Sequence, residues 1–320
     1  MYIYDMLTDL FDTTPSILQE LLIPDFTKRG IKLFVKRDDL IHKDVSGNKW
    51  RKLKYNLLQV AQGKYDGIFT FGGAYSNHLV ATASAANKAG IPVIGFVRGE
   101  ELNPNSNETL QKCHLLGMKL IFLTREEYGM RNDKQYIDEL KMEYPNYYFV
   151  PEGGGNYLGM VGCQEIWHEL PKDIDHLFVA QGTTTTSCGL LLGKPINTKL
   201  HVVPVLKGFD VEGTMLQQLR WFVFQDEFPN DLMEDVVVHP NYHFGGYGKY
   251  SKELLMFIKE IYTKHQLPLD PVYTGKAFFA LLEELKNPQF DNTSIVFVHT
   301  GGLQGSKSIE VKEGISLYEN

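Results

Sequence analysis

Apolar positions along this chain fall in short runs separated by longer amphipathic stretches. The runs Ile31–Lys36, Gly67–Phe71, Pro92–Val97, Lys119–Leu123, Tyr147–Val150, His176–Ala180, His201–Val205 and Ser294–His299 are predicted strands. Most are rich in Val, Ile and Phe with little alternation, the pattern of parallel strands buried on both faces. Between them, Ser76–Ala89, Asn107–Leu116, Asp210–Phe224 and Lys252–Lys264 are predicted helices. In the last, Leu254, Leu255, Ile258 and Ile261 line one face, as a helix packed on a core requires. Strand and helix alternate almost throughout, which predicts an α/β fold of mostly parallel sheets flanked by helices, joined by right-handed crossovers.

At 320 residues the chain is long enough for one large domain or two ordinary ones. A hydrophobic content of 43% with 22% charged residues is that of a folded globular protein. Its net charge of −7 argues against a general nucleic-acid binder. Cys113, Cys163 and Cys188 are too far apart for a zinc site or a disulfide framework, so a reducing compartment is expected, with Cys163 and Cys188 as small core residues. The first twenty residues carry acidic groups where a signal peptide needs basic ones, and no apolar run reaches the roughly 18 residues that span a bilayer. The expectation is a cytoplasmic protein with no membrane and no nucleic-acid partner.

Familiar nucleotide and metal motifs fail. Gly189–Lys194 reads GLLLGK followed by Pro195, where a phosphate loop needs one more residue between its glycines and a hydroxyl residue after lysine. The glycines from Gly153 to Gly159 lack the spacing of the dinucleotide fingerprint. His239 and His243 are four apart, but Pro240 and the missing glutamate spoil a zinc-protease helix, and no metal site is expected.

Two stretches carry chemistry. Ser46–Lys54 reads SGNKWRKLK and puts four cations, Lys49, Arg51, Lys52 and Lys54, within six residues at a predicted helix start. The helix dipole disfavours each by about 0.3–1 kcal/mol at a surface, and a bound anion reverses that penalty. Lys49 and Lys52 share one face; a solvated basic face accounts for Arg51 and Lys54. The second stretch, Gly182–Gly189, reads GTTTTSCG between a predicted strand and a helix expected to start near Ser187. Its backbone N–H groups and hydroxyls can form an anion nest, or can simply cap the helix. The helix SNHLVATASAANKA, unusually rich in small residues, admits either tight packing on a sheet or a flat ligand.

With these stretches in view, the chain resembles the pyridoxal-phosphate enzymes of the tryptophan synthase β-like fold (fold type II). The resemblance is specifically to the group of 1-aminocyclopropane-1-carboxylate (ACC) deaminases and D-cysteine desulfhydrases. The segments VKRDDL, SGNKWRKL, FGGAYSNH, VPEGGGNYLG, GYG, DPVYTGK and HTGG carry it, in family order, from Val35 to Gly302. The resemblance implies two domains, residues 1–46 with 158–320 and an inserted 47–157, with pyridoxal 5'-phosphate in the cleft, and a homodimer. It implies that Lys49 links covalently to the cofactor and that Lys52 touches its phosphate. Gly182, Thr183, Thr184, Thr185 and Thr186 would form the phosphate cup. Ser76, Asn77 and His78 would hold the substrate carboxylate, Asn77 also reaching the cofactor's phenolic oxygen. Tyr247 and Tyr273 would be the active-site tyrosines, and Thr300 would lie near the pyridine nitrogen.

The chemistry fits these residue types. A lysine amine condenses with an aldehyde and, once neutral, can act as general base. Departures from the family pattern are Val80 in place of an arginine, Gly155 in place of a serine, Thr274 where the deaminases carry glutamate, and His78 where they tend to carry glutamine. The last two tilt the expectation toward β-elimination from a small amino acid of the D-cysteine kind, giving pyruvate, ammonia and sulfide. ACC deamination is the alternative. A cofactor-binding protein without catalysis is a further one, motivated by Val80, Gly155 and the threonine-rich cup. A nicotinamide-dependent dehydrogenase would explain the α/β pattern but not the missing glycine fingerprint.

Overall fold

The computed structural model describes residues 11–319 apart from 13, 46, 64, 225–228 and 230. Ser46 of the SGNKWRKL segment and the first ten residues of the stretch read for a leader lie outside the described residues. In chain order the strands are β1 (Leu18–Glu20), β2 (Lys32–Lys36), β3 (Gly67–Gly72), β4 (Val93–Arg98), β5 (Lys119–Leu123), β6 (Tyr147–Val150), β7 (His176–Gln181), β8 (Lys199–Pro204), β9 (Val236–Val238) and β10 (Ser294–Val298). The helices that matter below are α1 (Asn48–Gln62), α2 (Asn77–Ala89), α3 (Thr185–Gly193) and α4 (Thr274–Glu284). No helix among the described residues is long and apolar enough to cross a membrane.

The chain forms two compact units. The smaller holds residues 11–12, His42–Val45 and Lys49–Gly162; the larger holds Thr14–Ile41, 47–48 and 163–319. In the smaller, four parallel strands run in the order β5-β4-β3-β6. Every residue of β3 is buried, and its phenylalanines interlock with neighbours: Phe69 stacks on Phe149 and Phe71 on Phe96, each pair 5.1 Å apart at the ring centroids. Burying each such ring is worth about 1.5–3 kcal/mol, so this cluster accounts for the position of the sheet.

The larger unit carries the order β1-β2-β10-β7-β8-β9, parallel except for β1 against β2. One side of it is filled by Val35, Phe178, Phe297, Ala277, Phe278, Leu281 and the predicted stripe Leu254, Leu255, Ile258 and Ile261. A row of histidines crosses three adjacent strands or their ends. His176 Nδ1 lies 3.0 Å from His201 Nε2, and His201 Nδ1 lies 2.9 Å from His239 Nε2. The His201 ring stacks on Phe178 at 4.1 Å.

Three expectations change. The helix α3 starts at Thr185 rather than near Ser187, because Cys188 N–H donates to Thr184 C=O at 2.8 Å and closes the first turn around the threonines. Arg51 is fully buried, so the solvated-face account fails for it; the backbone at Gly162 packs directly on the Arg51 carbonyl. The helix expected through Phe224 is regular over Val211–Leu219 and widens into a looser π turn over Arg220–Phe224.

Each sheet reverses its strand order once. In the smaller unit β4 and β6 flank β3 on opposite sides, and in the larger unit β8 and β10 flank β7. Ligands of open α/β sheets bind outside the carboxyl ends of strands at such switch points. The carboxyl ends of β3 and β6 lead into Ser76-Asn77-His78 and the loop from Pro151 to Asn156. Those of β7 and β10 lead into Gly182–Thr186 and His299-Thr300-Gly301.

Candidate active site

In the smaller unit, Lys49 and Lys52 lie in the first turns of α1, whose opening turn has no acidic residue. Lys52 is buried, with Gly154 packed against its stem and Asn56 bonded to its main chain. Gly154, at φ +71°, lies so close that a Cβ there would stand 2.9 Å from Lys52 Cβ, so only glycine suits both the backbone and the space. The Asn56 side chain donates to Lys52 C=O at 2.7 Å and exchanges amide hydrogen bonds with Asn156. The intervening loop is clamped at Glu152, which accepts from Tyr128 Oη and Arg131 Nε, both at 2.6 Å.

At the start of α2, Ser76 Oγ accepts from Leu79 N–H at 3.3 Å. The N–H groups of Asn77 and His78 have no acceptor within a helix that begins there, and the Ser76 hydroxyl proton is still available. This is a donor set suited to a carboxylate. His78 Nε2 sits 2.8 Å from Thr70 Oγ1, while its Nδ1 is buried without a protein partner. Burial, and then the positive charges of Lys49 and Lys52, push its imidazole down to about 3, so it is neutral and lies within electrostatic reach of both lysines. Val80, where the resemblance leads one to expect an arginine, is buried in the core.

In the larger unit, α3 starts without a side-chain cap and without an acidic residue in its first turn. By contrast, the helices starting at Asn77, Glu108, Arg125, Lys134, Val211 and Lys252 are all capped by a side chain. The hydroxyls of Thr184 and Thr185 and the Gln181 amide nitrogen are buried with no protein partner. Uncapped N–H groups beside partnerless hydroxyls are donors in search of acceptor oxygens that the described residues do not supply. They fit the phosphate of the expected cofactor. Thr186 Oγ1 accepts from Asn48 Nδ2 at 3.1 Å, and Thr183 is exposed at the rim.

Tyr273 stands against the cup: a Cβ on Gly182 would lie 2.7 Å from its ring. The Tyr247 ring meets Tyr273 edge-on at 6.0 Å and is 58% exposed. Thr300 is buried, and its carbonyl accepts from Asn48 N–H at 3.2 Å, an approach possible because position 47 is glycine at φ +65°.

Thr274 is committed elsewhere. Its Oγ1 donates to Asp270 Oδ1 at 2.7 Å and accepts from Asp270 N–H at 2.9 Å. Asp270 also accepts from the N–H groups of Val272, Tyr273 and Thr274. Burial raises its carboxyl even so. Four donors fill the roughly four lone-pair sites of a carboxylate.

Each unit therefore gathers its share of the expected residues: Lys49, Lys52, Ser76, Asn77 and His78 in the smaller, Gly182–Thr186, Tyr247, Tyr273 and Thr300 in the larger. Asn48, Asp270 and Lys276 received no role from the sequence. All three stand inside the quoted segments SGNKWRKL and DPVYTGK, which was the available signal.

The model of the pyridoxal-phosphate-dependent enzyme family matches residues 14–301. A Pyrococcus abyssi protein named "Putative 1-aminocyclopropane-1-carboxylate deaminase" is 34% identical over 86% of this chain and 86% of its own length. The mitochondrial bifunctional D-cysteine desulfhydrase/ACC deaminase of Arabidopsis thaliana is 31% identical over 86% of this chain and 73% of its own. Among solved structures, an ACC deaminase homologue superposes with a TM-score of 0.75 at 27% identity, covering 98% of both chains.

Proposed function

The chain belongs to the pyridoxal-phosphate-dependent enzymes, and from that premise we propose that it is a lyase removing the β-substituent of a small amino acid. D-cysteine is the leading candidate, water and D-cysteine giving pyruvate, ammonia and hydrogen sulfide. Bound pyridoxal phosphate supplies an electron-accepting ring conjugated to the substrate's α-carbon. The proposed roles of the chain's own residues are those the family resemblance implies, and their surroundings support them. Lys49 Nζ holds the cofactor and, as the neutral amine, takes the α-proton. Lys52, Gly182 and Thr183–Thr186 hold the phosphate. Ser76, Asn77 and His78 hold the substrate carboxylate, with Asn77 also reaching the cofactor. Tyr273 and Tyr247 present phenolic hydroxyls to the substrate side chain and protonate the departing sulfur.

The observation favouring elimination is the Thr274–Asp270 pair. The Thr274 proton goes to Asp270, and the Asp270 carboxylate is saturated with donors. Neither group is left to hold a proton on a ring nitrogen, and Thr300 offers only a hydroxyl. A site with weaker electron withdrawal suits a reaction in which a good leaving group departs early, more than one that must open a cyclopropane ring. The second reading, ACC deamination, draws support from the names of the two relatives above. A catalytically silent cofactor binder draws support from the buried Val80.

The testing experiment incubates the loaded protein with D-cysteine, β-chloro-D-alanine and ACC and identifies the keto acid. Pyruvate from the first two with little product from ACC supports elimination. A four-carbon keto acid from ACC alone replaces it with the second reading, and no keto acid together with an unshifted absorbance leaves the third. The proposal extends to a cytoplasmic homodimer with a cofactor domain and an inserted domain, whose expected bounds of 1–46 with 158–320 and 47–157 are adjusted so that 47–48 go with the former and 11–12, 42–45 and 158–162 with the latter. Sedimentation and cell fractionation test the assembly and the location.

A further inference from the structure

Lys276 has no role in the scheme above, yet its ammonium is fully buried in the larger unit. It is the third residue of α4, where the helix dipole disfavours a cation. Burial pushes its amine down to about 8, with only Asp270 acting in the opposite direction. A methionine would fill the same space without these penalties.

The partners of Lys276 Nζ are specific. It donates to the carbonyls of His243 at 2.9 Å and Gly246 at 2.8 Å. Those two carbonyls open consecutive turns: His243 C=O also accepts from Gly246 N–H, and Gly246 C=O from Lys249 N–H. Tyr247 is the second residue of the second turn. The segment is costly to hold, because Phe244, Gly245, Gly246 and Gly248 all have positive φ, and for Phe244 that conformation is strained. At the other side of the same helix start, Tyr273 is fixed by the donation of its N–H to Asp270. One helix end therefore sets both tyrosines, Tyr273 through Asp270 and Tyr247 through Lys276.

We propose that Lys276 is a positioning residue that holds the 243–249 turns so that Tyr247 stands edge-on to Tyr273 beside the Gly182 cup. The inference rests on the active-site role proposed for Tyr247.

The test combines a readout free of cofactor with a double-mutant cycle. In the cofactor-free protein, Lys276→Met should speed hydrogen exchange at the Gly246 and Lys249 amides about tenfold or more, as expected when a local opening becomes cheaper. Unchanged exchange would overturn the proposal. In the loaded enzyme with D-cysteine, Lys276→Met should lower kcat on the order of ten- to a hundredfold, the scale of a misplacement near 1 Å. KM should change little. Tyr247→Phe should lower kcat as well, and adding Lys276→Met to it should cost no more than about twofold further, because both act through one group. Effects that multiply would show that Lys276 acts elsewhere and overturn the proposal. Should Lys276→Met fail to fold, Lys276→Gln, which keeps a donor but can reach only one of the two carbonyls at a time, is expected to exchange faster at the same two amides and to turn over more slowly than the parent, and parental behaviour of that variant overturns the inference. An impaired Tyr247→Phe with a silent Lys276→Met removes this inference alone. A silent Tyr247→Phe in an active enzyme removes the role given to Tyr247 and this inference with it.

Discussion

The Asn48 side-chain amide donates to Thr186 Oγ1 at 3.1 Å, joining the residue that precedes Lys49 to the start of α3. A hydroxyl that accepts in this way keeps its own proton for another acceptor, so Asn48 orients Thr186 as a donor. Removing the orienting bond with Asn48→Ala should cost about 0.5–1.5 kcal/mol of cofactor binding, and removing the donor with Thr186→Val about 1.5–3 kcal/mol, since its partner would be charged. The expected losses of affinity are roughly two- to tenfold and tenfold or more. Fluorescence titration with pyridoxal phosphate measures both, and unchanged affinity in the two variants would place the phosphate somewhere else.

Lys49 is the second residue of α1 and within electrostatic reach of the neutral His78. Lys49→Ala should abolish the borohydride-reducible link to pyridoxal phosphate while leaving the circular dichroism spectrum unchanged. Peptide mapping of the reduced parent protein provides the control. A label on any lysine other than Lys49 would displace the mechanistic assignment.

Acid should destabilise both units through buried histidines. Burial, aided by neighbouring charges, pushes His78 down to about 3 and His201 to about 2. Each stays neutral in the folded chain but takes up a proton near its ordinary pKa of about 6.5 when unfolded. The unfolded state then binds more protons, so stability rises with pH over that interval. It is fully present above about pH 6.5 and is lost as pH falls toward 3 and 2, by up to about 1.4 kcal/mol per pH unit for each histidine. Urea midpoints at pH 7, 6 and 5 should show this slope, and His78→Gln, which can keep a bond to Thr70, should flatten it. A slope that His78→Gln leaves untouched would mean that His78 is protonated in the fold.

Much of this architecture was legible because buried parallel strands announce themselves as unbroken runs of Val, Ile and Phe. What escaped was β1 and β9, three residues each, too short to show a period and paired only by the neighbouring strands that find them. Arg51 was misread because charge patterning along a helix says nothing of how many faces the surrounding chain will cover. The site was legible in its segments, and the switch points explain why segments far apart in sequence gather at the same end of each sheet. The supporting groups were not. Asp270 and Lys276 act through main-chain atoms of neighbouring loops, and no residue pattern reports which carbonyl or N–H will lie beside a given side chain.

Thr274 tests the choice of reaction. It is fully buried, and its hydroxyl proton is held by Asp270 Oδ1 at 2.7 Å. Thr274→Val keeps the shape but removes a donor to a buried carboxyl, and should destabilise the protein by about 1.5–3 kcal/mol. Thr274→Glu imitates the residue that the deaminases carry, yet it sets a second carboxylate beside the first in a region with no room for solvent. Two like charges so close raise each other's pKa or force the helix start apart. The expected result is therefore a lower melting temperature with no gain of keto acid from ACC. Elimination from D-cysteine should weaken too, since Tyr273 is held by the same Asp270. Thermal melts and product analysis with both amino acids measure this. A Thr274→Glu variant that melts like the parent and opens the cyclopropane ring would show that position 274 reaches the reacting group after all, and that the hydroxyl at Thr274, rather than its bond to Asp270, sets the reaction.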